Sequence, residues 1–320
     1  MSNTKEIGVS DLHQGDVMVF SPDEEDTLSR AIAWVTDSTV SHAAMVYYSN
    51  DEIAEETLHG LVVTPTKARV ESQRVATVLR LKSEIQDLDM KKVVDVAAKY
   101  VNNDEPYATA DLLFLAIYFL FKKCSQDTKV NKALAKIIKL AMMALIEMTD
   151  EKLYPGKDPM QCSQFVYHCY REAGPEYRII LKKEQDVKKY NLLQLVKEQT
   201  SGRNLSYKKI KKDLIKEVRR ERKGVQGPIS NKVNVDAAQK AAKELLEALQ
   251  SNNMQEVVQP IQLDKEFMNL VQKFCILLTK SDNLAEAIEK LVNLEEFFVS
   301  PGDLLSRTEN LEEIGVLTRE

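Results

Sequence analysis

Cys162 opens an apolar, helix-like run, QCSQFVYHCYREAG (Gln161–Gly174). A thiol in the first turn of a helix faces unpaired backbone N–H groups and the positive end of the helix dipole, and both stabilise thiolate. Thiol attack on a carbonyl also needs a base to take the proton and a group to orient that base. His42 is the candidate base. It follows Ser41 at the start of an apolar strand, SHAAMVYY, where an imidazole has no packing reason to stand. Thirteen residues on, after a hairpin turn, the returning strand carries Glu55 and Glu56. Alternation puts these two on opposite faces, so only one can orient the histidine, and the hairpin register leaves the choice open. The competing reading of Cys162 is a small buried hydrophobe, the common fate of a free cysteine. Cys169 reads as core on the same helix, Cys124 and Cys275 as ordinary reduced thiols. His13 has no evident role, and His59 and His168 read as surface or packing residues.

The elements that must position these groups change character along the chain. Five short β-rich runs fill the first 82 residues: Asp16–Phe20, Ser41–Tyr48, Asp51–Thr57, Gly60–Thr64 and Arg74–Lys82. Turn signals such as Gln14-Gly15, Ser21-Pro22 and Ser49-Asn50-Asp51 separate them. One helix interrupts the set, Thr27–Val35, with Leu28, Ile32 and Val35 on one face. From about Asp89 the period turns helical: Val93, Val94, Ala97 and Val101 form a stripe, an apolar helix follows Asp111, and another spans Lys132–Met148. Pro155 and Pro159 break the chain before the Cys162 helix, and Gly174-Pro175 ends it. A basic amphipathic helix around Tyr207, Ile210, Leu214 and Val218 follows, then a flexible segment, Gly224–Lys232, and two or three helices to about Leu294. The tail, FFVSPGDLLSRTENLEEIGVL, reads as strand or loop.

Composition narrows the function classes. The net charge is −5 over 320 residues, which argues against a dedicated nucleic-acid binder. The charge is uneven: residues 178–223 hold 16 Lys/Arg against 6 Asp/Glu. This stretch is expected to be a solvated face or a contact for an anionic membrane surface or acidic partner. Its aromatics are sparse, so base stacking is not expected. Four scattered cysteines support neither a disulfide scaffold nor a structural zinc site, and no metal or cofactor is expected. The polar N-terminus has no signal-peptide core. The longest apolar run, Leu112–Phe121, is ten residues where a bilayer-spanning helix needs roughly 20. A cytoplasmic location is expected.

Taken in order, these residues resemble the permuted papain-like cysteine hydrolases, in the YiiX-like branch of the NlpC-type superfamily, related to the lecithin:retinol acyltransferase group. QGDVMVF (Gln14–Phe20) is similar to the family's Gly-Asp strand opening, and TVSHAAMVYY (Thr39–Tyr48) to its histidine strand. IAEETLHGLVVTP resembles the Glu-Ala-x-x-x-Gly-Val segment and aligns Glu55 with the acidic member. EPYATA (Glu105–Ala110) is similar to a Tyr-containing segment, and QCSQFVYHCYREAG to the Cys-Ser-x-x-Val/Leu helix. The closing VSPGDLLSRTENLEEIGVL resembles the terminal Pro-x-Asp-Leu…Ser…Leu stretch. The resemblance spans residues 14–82, 90–174 and about 298–320. It implies Cys162 as nucleophile, His42 as base and Glu55 as the orienting group. Glu56 stands where the family has a small residue and competes as the third member.

The expected fold is therefore α+β: a small antiparallel sheet or open barrel packed on the nucleophile helix, circularly permuted relative to papain. The expected domains are a catalytic domain over 1–200, a helical insertion over 201–297, and a segment over 298–320 that returns to the catalytic domain. The expected activity is hydrolysis of a peptide, amide or acyl-lipid bond through a thioester acyl-enzyme. The apolar helices of 111–148 tilt this towards a lipid-like or acylated substrate. The alternatives are a lipid acyltransferase of the same fold and a non-catalytic binding protein that uses the basic region.

Overall fold

The β-rich runs form strands close to where the sequence places them: β2 (Val17–Phe20), β3 (His42–Val46), β4 (Glu52–Thr57), β5 (Gly60–Pro65) and β6 (Ala76–Leu81). Two further strands, β1 (Glu6–Ile7) and β7 (Leu311–Leu317), come from the two ends of the chain. The computed structural model describes residues 5–57, 60–71, 75–82, 88–101, 110–148, 161–182, 190–198, 205–221, 235–251, 257, 261–295 and 298–317. His59, most of the Glu105–Ala110 segment, Pro155, Pro159 and Gly224–Lys232 lie outside them. Among the described residues the helices are α1 (Thr27–Val35), α2 (Thr66–Glu71), α3 (Lys91–Val101), α4 (Ala110–Lys122), α5 (Thr128–Met148) and α6 (Cys162–Ala173). They continue with α7 (Leu192–Glu198), α8 (Tyr207–Glu221), α9 (Val235–Ser251), α10 (Lys265–Leu278), α11 (Leu284–Glu295) and α12 (Pro301–Ser306).

The chain divides into two units. Unit 1 takes in Met1–Ala110, Lys157–Gln185 and Val299–Glu320; unit 2 takes in Asp111–Gly156 and Asp186–Phe298. The C-terminal segment returns to the sheet, with β7 pairing β6 antiparallel and β1 parallel. The helical unit is larger than the 201–297 insertion read from the sequence. It also takes in residues 111–156 and 186–200.

In unit 1 the strand order is β1-β7-β6-β2-β3-β4-β5. The sheet is open and mixed, neither closed into a barrel nor wholly antiparallel, because the β1–β7 pair is parallel. Alternation gives each face its own core. On one face Val17, Val19, Ala43, Met45 and Leu79 pack with Val93 and Val94 of α3 and with Phe165, Val166, Cys169 and Tyr170 of α6. On the other face Met18, Phe20, Ala44, Val46, Ile53 and Val78 pack with Val70 of α2 and with Ile7 and Leu12.

Unit 2 is helical among its described residues. All ten residues from Leu112 to Phe121 are buried, so this apolar run is accounted for as core. The long α5 packs on α9 and α10, and α10 also contacts α7, α8 and α11. Ile210 of α8 is buried within the unit, whereas Lys208, Lys209, Lys212 and Lys216 are exposed. No helix among the described residues is long and apolar enough to cross a membrane.

Candidate active site

The strand opening Gly15-Asp16 fixes one end of the sheet. Gly15 sits at φ +83°, a left-handed conformation that disfavours a side chain, and an added Cβ would come within 2.7 Å of the Met90 side chain. Asp16 is buried and its carboxylate accepts from Arg80 Nε and Nη2, each at 2.7 Å, and from the His13 backbone N–H at 2.7 Å. Arg80 reaches it from β6, so the pair clamps the start of β2. The Gly-Asp motif is thus explained by folding alone. Arg80→Ala leaves a buried carboxylate without its cation and is expected to cost about 3 kcal/mol, read from urea unfolding. A loss below 1 kcal/mol would show the clamp to be inessential.

Cys162 is the first residue of α6 and is 7% exposed. Two tethers set which way α6 runs. Towards its C-terminal end the Tyr170 hydroxyl donates to the Gly15 carbonyl, and the Gly15 N–H bonds Val46 O at 3.0 Å, at the end of β3. At its start, the buried Ser163 hydroxyl donates to the Val299 carbonyl at 2.7 Å. Gly302, three residues after Val299, lies so close to Ser38 that an added Cβ would stand 2.8 Å from the Ser38 Cβ. Ser38 immediately precedes the approach to β3. The helical rise from Tyr170 back to Cys162, about 12 Å, matches the roughly 13 Å run of β3 from Val46 to His42. Cys162 therefore sits at the His42 end of β3.

His42 and Glu55 meet directly. The register pairs Ala44 with Glu55, which puts Glu55 on the face of His42, diagonally one pair away. His42 Nε2 and Glu55 Oε2 are 2.7 Å apart, and Glu55 is fully buried. Glu56 lies on the opposite face. The register thus decides the choice the sequence left open, in favour of Glu55 as the histidine's partner.

A further residue completes this group, Arg69 on the short α2. Its Nε and Nη2 donate to the same Glu55 Oε2 at 3.0 and 2.6 Å. Phe20, paired with His42 across β2–β3, underlies both partners: its ring centroid is 5.8 Å from that of His42 and 5.9 Å from the Arg69 guanidinium carbon. Burial pushes the Glu55 carboxyl up. The hydrogen bond and charge of His42, then Arg69 and the Thr64 hydroxyl, outweigh it and hold the carboxyl down to about 2. Glu55 is therefore an anion over the whole working pH range. An ionised carboxylate only accepts, so the shared proton sits on Nε2 and the lone pair of His42 is on Nδ1.

The chain matches no protein-family model and no curated protein.

What the arrangement offers is an oriented imidazole and a thiol at a helix start, presented at one end of a strand. Their faces differ. Cys162 lies one turn ahead of Phe165 and Val166, on the sheet-facing side of α6, whereas the His42–Glu55 pair belongs to the α2 face. The other cysteines are free and buried. Burial pushes the thiols of Cys124 and Cys275 up to about 12 and that of Cys169 well above its ordinary value. A cavity of about 420 Å³ lies at the opposite, Gly15 end of the sheet, lined by His13, Asp16, Arg80 and Tyr170. Its charged pair is already satisfied, so the size of this cavity does not mark it as the place of chemistry.

Proposed function

We propose that unit 1 is a cysteine hydrolase with a circularly permuted papain-like fold, cleaving an amide or acyl-ester bond. His42 Nδ1 takes the proton of the Cys162 thiol, and the thiolate forms a C–S bond to the substrate carbonyl carbon. The carbonyl electron pair moves to oxygen, where the backbone N–H of Cys162 at the start of α6 is the natural donor. Collapse expels the amine or alkoxide, which takes the proton from Nδ1. Water then attacks the thioester with Nδ1 again as base, releasing the acid and the thiol. Glu55 holds the imidazole tautomer throughout, and Arg69 holds Glu55.

The observation that carries this reading is the buried His42–Glu55 pair, held by Arg69, at the strand end where α6 begins. A histidine with only a packing role has no need of a buried carboxylate and a guanidinium to fix its tautomer. In an acyltransferase, a second acceptor takes the place of water; product analysis with candidate alcohols and amines separates the two outcomes. The direct test is intact-mass analysis after mixing with p-nitrophenyl acyl esters. Wild type is expected to gain one acyl mass, mapped to Cys162, with a burst of nitrophenolate. Cys162→Ala is expected to show neither. Equal acylation of both proteins would sink the proposal.

A further inference from the structure

Five buried side-chain polar atoms among the described residues have no hydrogen-bond partner, and three belong to two residues of the candidate site: Glu55 Oε1, Gln161 Oε1 and Gln161 Nε2. The other two, Asn131 Oδ1 and Asn269 Oδ1, lie in unit 2. Native proteins carry few such atoms, because each gives up water without a replacement. Gln161 is the sharper case, since both ends of its carboxamide are orphaned and the residue is only 2% exposed.

Folding gives no reason for glutamine here. Gln161 is the N-cap of α6 at φ −94° and ψ 159°, yet its side chain makes no capping hydrogen bond. Ser, Thr, Asp or Asn would cap this helix better, and Met or Leu would be buried at lower cost. The residue next in sequence is the candidate nucleophile. An unpaired donor and an unpaired acceptor on one planar group, beside a reacting thiol, are complementary to one chemical group in particular. The N–H and C=O of one residue lie on the same edge of an extended chain, so an amino-acid-like acyl group offers its N–H to Oε1 and its C=O to the Nε2–H. An ester offers only the carbonyl and leaves Oε1 buried and unpaired.

We infer that Gln161 is a specificity-determining residue whose Oε1 accepts from the N–H of a secondary amide next to the scissile carbonyl and whose Nε2 donates to the carbonyl of that same acyl residue. This rests on the hydrolase reading and narrows it: the substrate class is an N-acylated amino acid or peptide acyl group, not a plain fatty acyl chain. A site built to satisfy an N–H rejects the analogue that lacks it, because a buried acceptor then goes unpaired.

Two substrates sharing one scissile bond test the inference on the full chain. The p-nitrophenyl ester of N-acetylglycine carries the flanking N–H, and that of O-acetylglycolic acid replaces it with oxygen. In wild type, kcat/KM for acylation is expected to favour the amide by tenfold or more after correction for buffer hydrolysis. In Gln161→Met the preference is expected to fall to threefold or less. Gln164→Met, altered at a partly exposed position on the same helix, is expected to keep it. Gln161→Leu, which also removes the acceptor, replaces the Met variant if that does not fold. A wild type without preference overturns the inference with no variant needed, as does a preference that survives in Gln161→Met. Absence of Cys162 acylation by either ester is the separate result that removes the hydrolase reading, and the inference with it.

Discussion

Alkylation of Cys162 by iodoacetamide at pH 6.5 is expected to slow by about 10²-fold or more when His42 is replaced by alanine, the scale of a lost general base. The other thiols supply an internal reference. With burial pushing Cys124 and Cys275 up to about 12, their thiolate fraction at pH 6.5 is on the order of 10⁻⁵ or below. Cys169, buried on the sheet-facing side of α6, is likewise pushed well above its ordinary value by burial. Cys162 shares the helix with Cys169 but stands at its start, where first-turn N–H groups and the helix dipole favour thiolate. Peptide mapping of quenched time points should therefore show modification at Cys162 well before any other site. In His42→Ala, rates at Cys162 should fall towards those of a thiol aided by the helix terminus alone. Equal rates at Cys162 and Cys124 in wild type would falsify the nucleophile assignment. A His42→Ala rate unchanged from wild type would leave the thiol activated by the helix start and remove the histidine from the mechanism.

The candidate site residues were legible in the sequence and the group that holds them was not, for physical reasons. Cys162, His42 and Glu55 each stand at a position with a local signature: a helix start, a strand start, and a strand returning from a tight turn. Alternation alone reduced the glutamates to one of two, and only the Ala44–Glu55 register settled which. Arg69 left no trace because α2 is six residues long, too short for a periodic stripe, and its partner is 14 residues away on another strand. The strands from the chain ends were obscure for a similar reason. β1 is two residues long, and the β6–β7 ladder carries an irregularity at Val78/Leu79, opposite Gly315. The boundary of unit 2 was hidden because α3, α4 and α5 follow one another with the same helical period. Which unit a helix joins depends on the face it buries, a property of three dimensions. The apolar character of 112–121 invited a lipid-like substrate; with every one of those residues buried, core packing accounts for it in full.

Replacing Glu55 by glutamine is expected to remove a stability contribution that acid titrates in the wild type. The carboxyl is held at about 2 against an ordinary value of 4.5, because His42 and Arg69 favour the charged form more than burial disfavours it. A carboxylate depressed on folding contributes fully above its unfolded pKa, and the contribution is lost as pH falls through the folded one. The window is therefore pH 4.5 down to about 2, and the depression corresponds to roughly 3 kcal/mol. Urea unfolding from pH 6 to 2.5 should show the wild type losing its margin over Glu55→Gln within that window, with a constant difference above it. Arg69→Met separates the two partners of the carboxylate. It leaves a fully buried anion paired with His42 alone, so the Glu55 pKa rises and the acid-sensitive window moves up in pH. At pH 7 the loss is expected to be about 3 kcal/mol, because breaking a buried ion pair strands a charge. The same variant should reduce acylation of Cys162 in the raised acid window, where a carboxylate that takes up a proton no longer fixes hydrogen on Nε2. Identical acid profiles for wild type, Glu55→Gln and Arg69→Met would mean that the carboxylate carries no net electrostatic burden. The orienting role given to it, and with it the reason for Arg69, would then fail together.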